Sequence, residues 1–204
     1  MRWIDDELAV SLALLAGKGI HDEGSMPFQV PWTRGSDRDV ARNLLTFQWA
    51  NRSRVGGELL SLELGVVVDG AAVGIQSAAG AGWSVLHEIE TGSWLGRDHQ
   101  GKGIGRRMRA LMLHLCFEEL GAEAVVSTAF ADNAASNAVS RRTGYELDGS
   151  QRVAREGVVA IQNRYRMSRD RWMAVRAANR EIVGADIEVA GIDALLDDLR
   201  AESS

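Results

Sequence analysis

The stretch Gly96-Arg97-Asp98-His99-Gln100-Gly101-Lys102-Gly103-Ile104-Gly105 constrains this chain more than any other. Ahead of it, His87 to Leu95 reads as a long strand. Behind it, Ile104, Met108, Leu111, Met112, Leu115 and Cys116 recur at helical spacing, and Gly121 ends the run. A glycine-rich turn between strand and helix lets the backbone approach a ligand without Cβ atoms in the way. It also points unpaired N–H groups and the positive end of the helix dipole at one spot, which suits an anion. Lys102, Arg106 and Arg107 add charge there. Three owners compete for such a loop. A P-loop needs Ser or Thr after the lysine, and Gly103 stands there. A dinucleotide fingerprint needs its third glycine where Arg106 lies, and it belongs on an opening strand rather than after a hairpin. A pyrophosphate cradle needs neither. A glycine turn that holds nothing is the bland alternative.

The remaining pattern places this loop in a mixed α/β fold. Leu8, Leu12 and Leu15 make a helical stripe over Asp5–Ala16. A loop marked by Gly24, Pro27, Pro31 and Gly35 follows, and Asp37 is expected to cap a second helix running to about Arg54. The period then changes. Leu60, Leu62, Leu64 and Val66 alternate as in a half-buried strand, Asp69-Gly70 is a two-residue hairpin turn, and Ala72–Gln76 returns as its partner. Beyond the main helix come a strand over Ala124–Ala129, a short helix from Asp132-Asn133 to Gly144, and strands at Tyr145–Leu147 and Ala160–Met167. The order α-α-β-β-β-α-β-α-β-β predicts one domain: a central twisted, mixed and mostly antiparallel sheet flanked by helices. A helical extension follows over 169–204, so the expected division is 1–168 for the domain and 169–204 for the extension. The stripe Ile192, Leu195, Leu196 and Leu199 would cover the domain or meet a second copy, which makes a homodimer an open expectation.

Composition removes several function classes. A chain of 204 residues with 46% hydrophobic and 25% charged residues is ordinary for a globular domain. The net charge of −5 speaks against nucleic acid as a partner. Lysine occurs only at Lys18 and Lys102, a bias that reads as a GC-rich bacterial coding sequence rather than selection for phosphate. Cys116 is the single cysteine, so no internal disulfide forms. With no Cys/His cluster, no metal is expected. No apolar run approaches the ~18 residues that span a bilayer, and the opening residues carry acids where a signal peptide would be apolar. The expectation is a cytoplasmic protein with no membrane partner. Cys116 lies on the apolar stripe, where it is a core residue rather than a nucleophile.

Three motifs in order give the loop an owner. Gln100-Gly101-Lys102-Gly103-Ile104-Gly105 resembles the Gln/Arg-x-x-Gly-x-Gly/Ala signature of the GNAT superfamily of acyl-CoA-dependent N-acetyltransferases. Glu90-Thr91-Gly92-Ser93-Trp94-Leu95-Gly96 resembles the strand that precedes it in the branch of the ribosomal-protein alanine N-acetyltransferases, with Ser93 replacing an aromatic residue. Asn133 to Tyr145 is similar to that branch's Asn-x-x-Ser helix ending in Gly-Phe/Tyr. The matched pieces run from about Leu60 to Met167. The resemblance implies acetyl-CoA, or another acyl-CoA such as succinyl-CoA, as co-substrate without a metal. It implies a small-molecule or protein N-terminal amine as acceptor, acylated by direct attack in a ternary complex. The alternative is a non-catalytic acyl-CoA sensor of the same fold.

The resemblance also distributes roles. Trp94, Leu95, Gln100, Gly101, Lys102, Gly103, Ile104, Gly105, Arg106, Asn133, Ser136 and Ser140 would hold the co-substrate, and the Leu95 N–H would steady the tetrahedral oxyanion. Glu88 and Glu90 share a strand face. Glu90 matches the family's Glu-x-Gly element and would be the base, while Glu88 borders the acceptor pocket. Ser136 would protonate the leaving thiolate, with water as the alternative. His87, expected on the opposite strand face, is a weaker candidate. Phe28 and Trp32, in the loop between the first helices, would line the acceptor side.

Overall fold

A computed structural model describes residues 1–53 and 58–201. Its seven strands form one sheet in the order β1-β2-β3-β4-β5-β7-β6. They are β1 (Arg2–Trp3), β2 (Leu59–Val68), β3 (Ala71–Ala81), β4 (Glu88–Leu95), β5 (Ala124–Phe130), β6 (Glu146–Arg155) and β7 (Val158–Ser168). The helices are α1 (Asp6–Gly17), α2 (Asp37–Asn51), α3 (Trp83–Leu86), α4 (Ile104–His114), α5 (Ala134–Arg142), α6 (Arg169–Val183) and α7 (Asp193–Ala201). Every neighbouring pair of strands is antiparallel except β4 and β5. The mixed, mostly antiparallel sheet is the one expected.

Alternation along β2 and β3 sorts the helices onto two faces. Leu60, Leu62 and Ala78 join the core under α4, with Met112, Leu113 and Cys116. Ile75 and Trp94 face the other way, against Leu8, Leu12, Val40 and Leu44 of α1 and α2. Gly65 lies on this second face because α1 comes close: a Cβ there would stand 2.6 Å from Leu8 Cδ2. Trp172 of α6 stacks on Phe117 at 5.3 Å, and Leu199 of α7 is buried in the same core. The C-terminal helices therefore pack on the sheet through the leucine stripe read from the sequence. Cys116 is buried there too, and burial pushes its thiol up to about 12, as suits a core residue.

Several local readings change. Ser36, not Asp37, caps α2: its hydroxyl accepts the Asp39 N–H while Asp39 accepts the Ser36 N–H, a reciprocal box. The expected helix end at Arg54 lies outside the described residues. His87 precedes β4 in a left-handed conformation (φ 44), caps α3 and packs edge-on against Trp83, so it has no place on a strand face. The short last strands are really a long hairpin, β6–β7, turning at Glu156-Gly157. β1 and α3 are too brief to leave a period in the sequence.

What positions the site is a divergence at the middle of the sheet. β4 and β5 pair only at Glu88–Ala124, Ile89–Val125 and Glu90–Val126. Beyond that, β4 follows β3 to Leu95 while β5 follows β7 to Phe130. A wedge-shaped gap opens between them, with the glycine loop at its mouth. Gly74 guards the β4 edge, since a Cβ there would sit 2.2 Å from the Trp94 carbonyl oxygen and 2.9 Å from Leu95 Cα. Gly74→Ala is expected to lower stability by about 1–3 kcal/mol, because the contact is backbone and cannot yield by a rotamer change. Urea denaturation of the two proteins measures it; an unchanged midpoint would show that β4 is free to shift.

Candidate active site

The gap offers backbone donors on its β4 side. Gly96 N–H bonds to the Val73 carbonyl, so the hydrogen-bonded pairs of the β3–β4 ladder fall at Gly96, Trp94 and Gly92. The intervening residues, Ser93 and Leu95, turn their N–H groups away from β3 and into the gap. Gln100 closes this end, donating to the Leu95 carbonyl at 2.9 Å and to the Ile20 carbonyl at 2.6 Å.

Next to it, α4 begins without a side-chain cap. Its N-cap is Gly103 at φ 81, preceded by Gly101 at φ 74, so only glycine fits the two bends without strain. The first N–H groups of α4 are left for a ligand, and the helix dipole favours an anion there. Lys102, Arg106 and Arg107 are exposed around this end, with no ion-pair partner among the described residues. Gly105 faces Val139 of α5 at ordinary contact distance, which brings α5 alongside. Asn133 caps α5 by accepting the Ser136 N–H at 3.0 Å, as the sequence suggested. Ser136 is half-buried on that first turn. Ser140 is buried, and its hydroxyl has no partner among the described residues. Trp94 sends its ring to the α1–α2 face, away from the glycine loop.

Between the two strands, on the α4 side, sits Arg109. Only 3% exposed, it donates to Ser127 of β5 at 2.9 Å, to Ser93 of β4 at 3.2 Å and to Gln76 of β3 at 3.4 Å. Its guanidinium lies 5.9 Å from the Tyr145 ring. Tyr145 is itself buried and hydrogen-bonded to Thr91 at 3.0 Å. No carboxylate pairs with Arg109 among the described residues. Ser93, the departure from the family's aromatic residue, is the contact that gives Arg109 a hold on β4.

The opposite face of the sheet carries carboxylates at the start of the gap, beside the arginines of β7. Glu90 is exposed and accepts a hydrogen bond from Thr128 of β5 at 2.9 Å. Glu88 is ion-paired with Arg166 of β7. Glu63 of β2 lies under α2 and accepts from Gln48 Nε2 at 3.2 Å. Burial pushes its carboxyl up to about 7, with the Gln48 hydrogen bond pulling the other way. An aromatic row, His21–Phe28–Trp32–Trp94, has centroid spacings of 5.9, 5.2 and 6.0 Å and carries the α1–α2 loop to β4. From that loop Arg34 reaches Glu156 at the β6–β7 turn, with both bonds near 2.8 Å. That arginine holds the Glu156 carboxyl below the usual carboxylate range.

The structure thus brings Leu95, Gln100 to Arg106, Asn133 and Ser136 to one side of the gap, and Glu88, Glu90, Phe28 and Trp32 to the other. Sequence reasoning missed Ser93 as a second N–H donor, Arg109, Glu63 and Asn137. The last ties α5 to β5 by donating to the Phe130 carbonyl at 2.8 Å, and accepts from Asn163 and Tyr165 of β7. The signals were present. Arg109 interrupts an apolar helix stripe, and Gln48 holds the position after Val40 and Leu44 on the buried stripe of α2.

Comparison with known proteins bears on the family and the fold. Residues 9–146 match the Acetyltransferase (GNAT) domain family. The "putative ribosomal N-acetyltransferase YdaF" of Bacillus subtilis is 29% identical over 117 residues, 57% of this chain and 62% of that protein. Among solved structures, RimJ of Mycobacterium smegmatis, in complex with a CoA disulfide, has a TM-score of 0.69 at 16% identity, covering 90% of this chain and 88% of that one. The ribosomal-protein α-N-acetyltransferase RimL in complex with coenzyme A has a TM-score of 0.61 at 20% identity, covering 82% and 92%. Both show the fold. No helix among the described residues is long and apolar enough to cross a membrane. With two thirds of its length inside the matched domain, this chain belongs to the GNAT acetyltransferase family.

Proposed function

We propose that this protein transfers an acetyl group from acetyl-CoA to a primary amine by direct attack in a ternary complex. The observation that carries the reading is the uncapped, glycine-bent start of α4 beside two unpaired N–H groups of β4. The first suits a pyrophosphate and the second an extended amide arm and a thioester carbonyl. Gly101 to Arg106 take the diphosphate, Asn133 and Ser140 border the arm on α5, and Ser93 or Leu95 N–H steadies the oxyanion. Ser136, on the first turn of α5, or a water returns a proton to the leaving thiolate. The acceptor enters over Glu88 and Glu90, whose charge attracts an ammonium group, with Phe28 and Trp32 at its border. The names of YdaF and RimL support the N-terminal amine of a ribosomal protein as acceptor, and a small amine fits the same chemistry.

One observation favours a second reading of the acyl group. Arg109 lies under the gap with neutral hydrogen-bond partners only among the described residues, an arrangement that an acyl carboxylate, as in succinyl-CoA, would complete.

Two measurements test these assignments. Gly103→Val puts a β-branched side chain at φ 81, which costs about 1–3 kcal/mol in strain and blocks the diphosphate. Acetyl-CoA affinity by calorimetry should fall at least about tenfold, roughly 1.4 kcal/mol, with circular dichroism confirming the fold. Undiminished affinity would remove the loop from the donor site. For the acyl group, thiol release is compared between acetyl-CoA and succinyl-CoA. If Arg109 selects a carboxylate, succinyl-CoA is preferred and Arg109→Gln reverses the preference; acetyl-CoA preferred by the unaltered protein ends the second reading.

A further inference from the structure

Strand β2 turns Leu60 and Leu62 toward α4 and Ser61, Glu63 and Gly65 toward α1 and α2. A strand face beneath two helices is expected to be apolar, and an ionised glutamate there loses much of its hydration. The Gln48 amide is its only polar contact among the described residues. The described charged groups of the surrounding elements are engaged elsewhere or turned to water. Arg2 of β1 pairs with Asp5, Arg52 at the end of α2 pairs with Asp6 of α1, and Asp39 closes the Ser36 cap. Glu7, Asp37, Arg38 and Arg42 are exposed, and β3 carries no charged residue. Among the described residues, no structural partner accounts for a carboxylate at this position.

Its place relative to the gap does. Glu63 lies opposite Ser77 on β3, and Ser77 opposite Gly92 on β4. A Cβ on Gly92 would meet only the Ser77 hydroxyl, at 2.9 Å. The floor from Glu63 to the edge of the gap therefore carries nothing taller than a serine. Two interstrand steps of about 4.8 Å each separate Glu63 from Gly92, a span that a glutamate side chain and one bridging water are long enough to cover. The Ser77 hydroxyl is a ready partner for such a water. Ser93, with its N–H in the gap, is the next residue. Glu90 is also on this face, but it is exposed and bound to Thr128.

We propose that Glu63 is the general base of the transfer, taking a proton from the acceptor's ammonium group through a water held over Ser77 and Gly92. This rests on the acyl-transfer reading above. In the step, one N–H bond of the ammonium breaks, its proton passes to the water, and the water's proton passes to the Glu63 carboxylate. The neutral amine then forms a C–N bond to the thioester carbonyl carbon. Collapse of the adduct breaks the C–S bond, and the second nitrogen proton goes to the thiolate to give the free thiol. Glu63 returns its proton to solvent. A carboxyl that titrates at about 7 both accepts and releases a proton near neutral pH. The acceptor class follows: an aliphatic amine that is protonated at neutral pH and needs a base.

The test compares the unaltered protein with Glu63→Gln, which keeps the shape and a partner for Gln48, on two acceptors of similar shape. One is an alkylamine; the other is its alkoxyamine counterpart, which is already neutral at the assay pH. Thiol release by the unaltered protein with acetyl-CoA checks the acyl-transfer reading itself. If it binds acetyl-CoA but releases no thiol with either amine, that reading fails and the base role falls with it. If it does turn over, Glu63→Gln should slow the alkylamine by about 10²-fold and the alkoxyamine by less than about threefold. The rise of the alkylamine rate with pH, inflecting near 7 in the unaltered protein, should disappear. Equal slowing of both amines would make Glu63 structural and overturn the proposal. Stability gives a second check. A raised carboxyl value favours the folded state at low pH, and that contribution is lost as pH rises through about 7. The melting temperature of Glu63→Gln should therefore gain on the unaltered protein from about pH 5 to about pH 8, and a constant difference would remove the buried base.

Discussion

The architecture turns on keeping β4 and β5 apart. Left alone, two adjacent parallel strands would extend their ladder and satisfy each other's backbone groups. Here the ladder ends after three residue pairs, and beyond it Arg109 bridges the two strands from the α4 face through their serine side chains. Its planar guanidinium spreads donors to Ser127, Ser93 and Gln76, and so bonds to three strands at once. Burying a cation among neutral groups is costly unless its donors are satisfied. That cost explains why the surrounding core, otherwise apolar, includes two serines, a glutamine, a threonine and a tyrosine.

The gap makes the two faces of the sheet chemically different. On the α4 side, the helix start, the exposed arginines and Lys102 present positive charge, and β4 presents N–H groups. On the α1–α2 side lie Glu90, bound to Thr128, and Glu88, paired with Arg166. In the proposed transfer, a thioester bearing a diphosphate and an amine bearing a proton would approach from opposite faces and meet at the edge of one strand. Proximity of this kind removes much of the entropic barrier of a bimolecular reaction, and fixed donors supply the rest without reorganising. The overall negative charge is no obstacle, because Lys102, Arg106 and Arg107 lie where the diphosphate would bind.

Much of this arrangement was legible in residue order. The period change from helix to strand, the Asp69-Gly70 turn and the glycine loop gave the sheet and the donor side, because each follows from backbone geometry within a few residues. Asn133 was readable as a cap for the same reason. What stayed hidden depends on register. Glu63 becomes interesting only when Ser77 and Gly92 are seen in line with it, and those three residues are separated by two turns of the chain. The hidden β6 strand has a related cause: its residues are exposed nearly throughout, so it has no alternation to display. Ser36 lost to Asp37 in the sequence reading because both are good caps, and only the backbone shows which one lies outside the helix.

That exposed hairpin has a structural consequence at the gap. Arg155 grips Asp132 with two bonds of 2.9 and 2.7 Å and lies 4.4 Å over the Phe130 ring, tying the hairpin to the end of β5. One residue further, Glu156 takes Arg34 of the α1–α2 loop. That loop is tied in turn to the end of β4, through the Arg97 N–H on Gly19 and the Gln100 amide on Ile20. A continuous series of contacts therefore runs outside the sheet from one lip of the gap to the other. Exposed ion pairs of this kind add little stability. Their effect is geometric, since they limit how far the lips can separate. The Arg34 pair persists at neutral pH, because the Glu156 carboxyl is held below its ordinary range and loses its charge only when pH falls through that lowered value. An acceptor deprotonated near pH 7, as proposed, would thus meet an opening whose ties do not titrate there, while the carboxylate beneath α2 does.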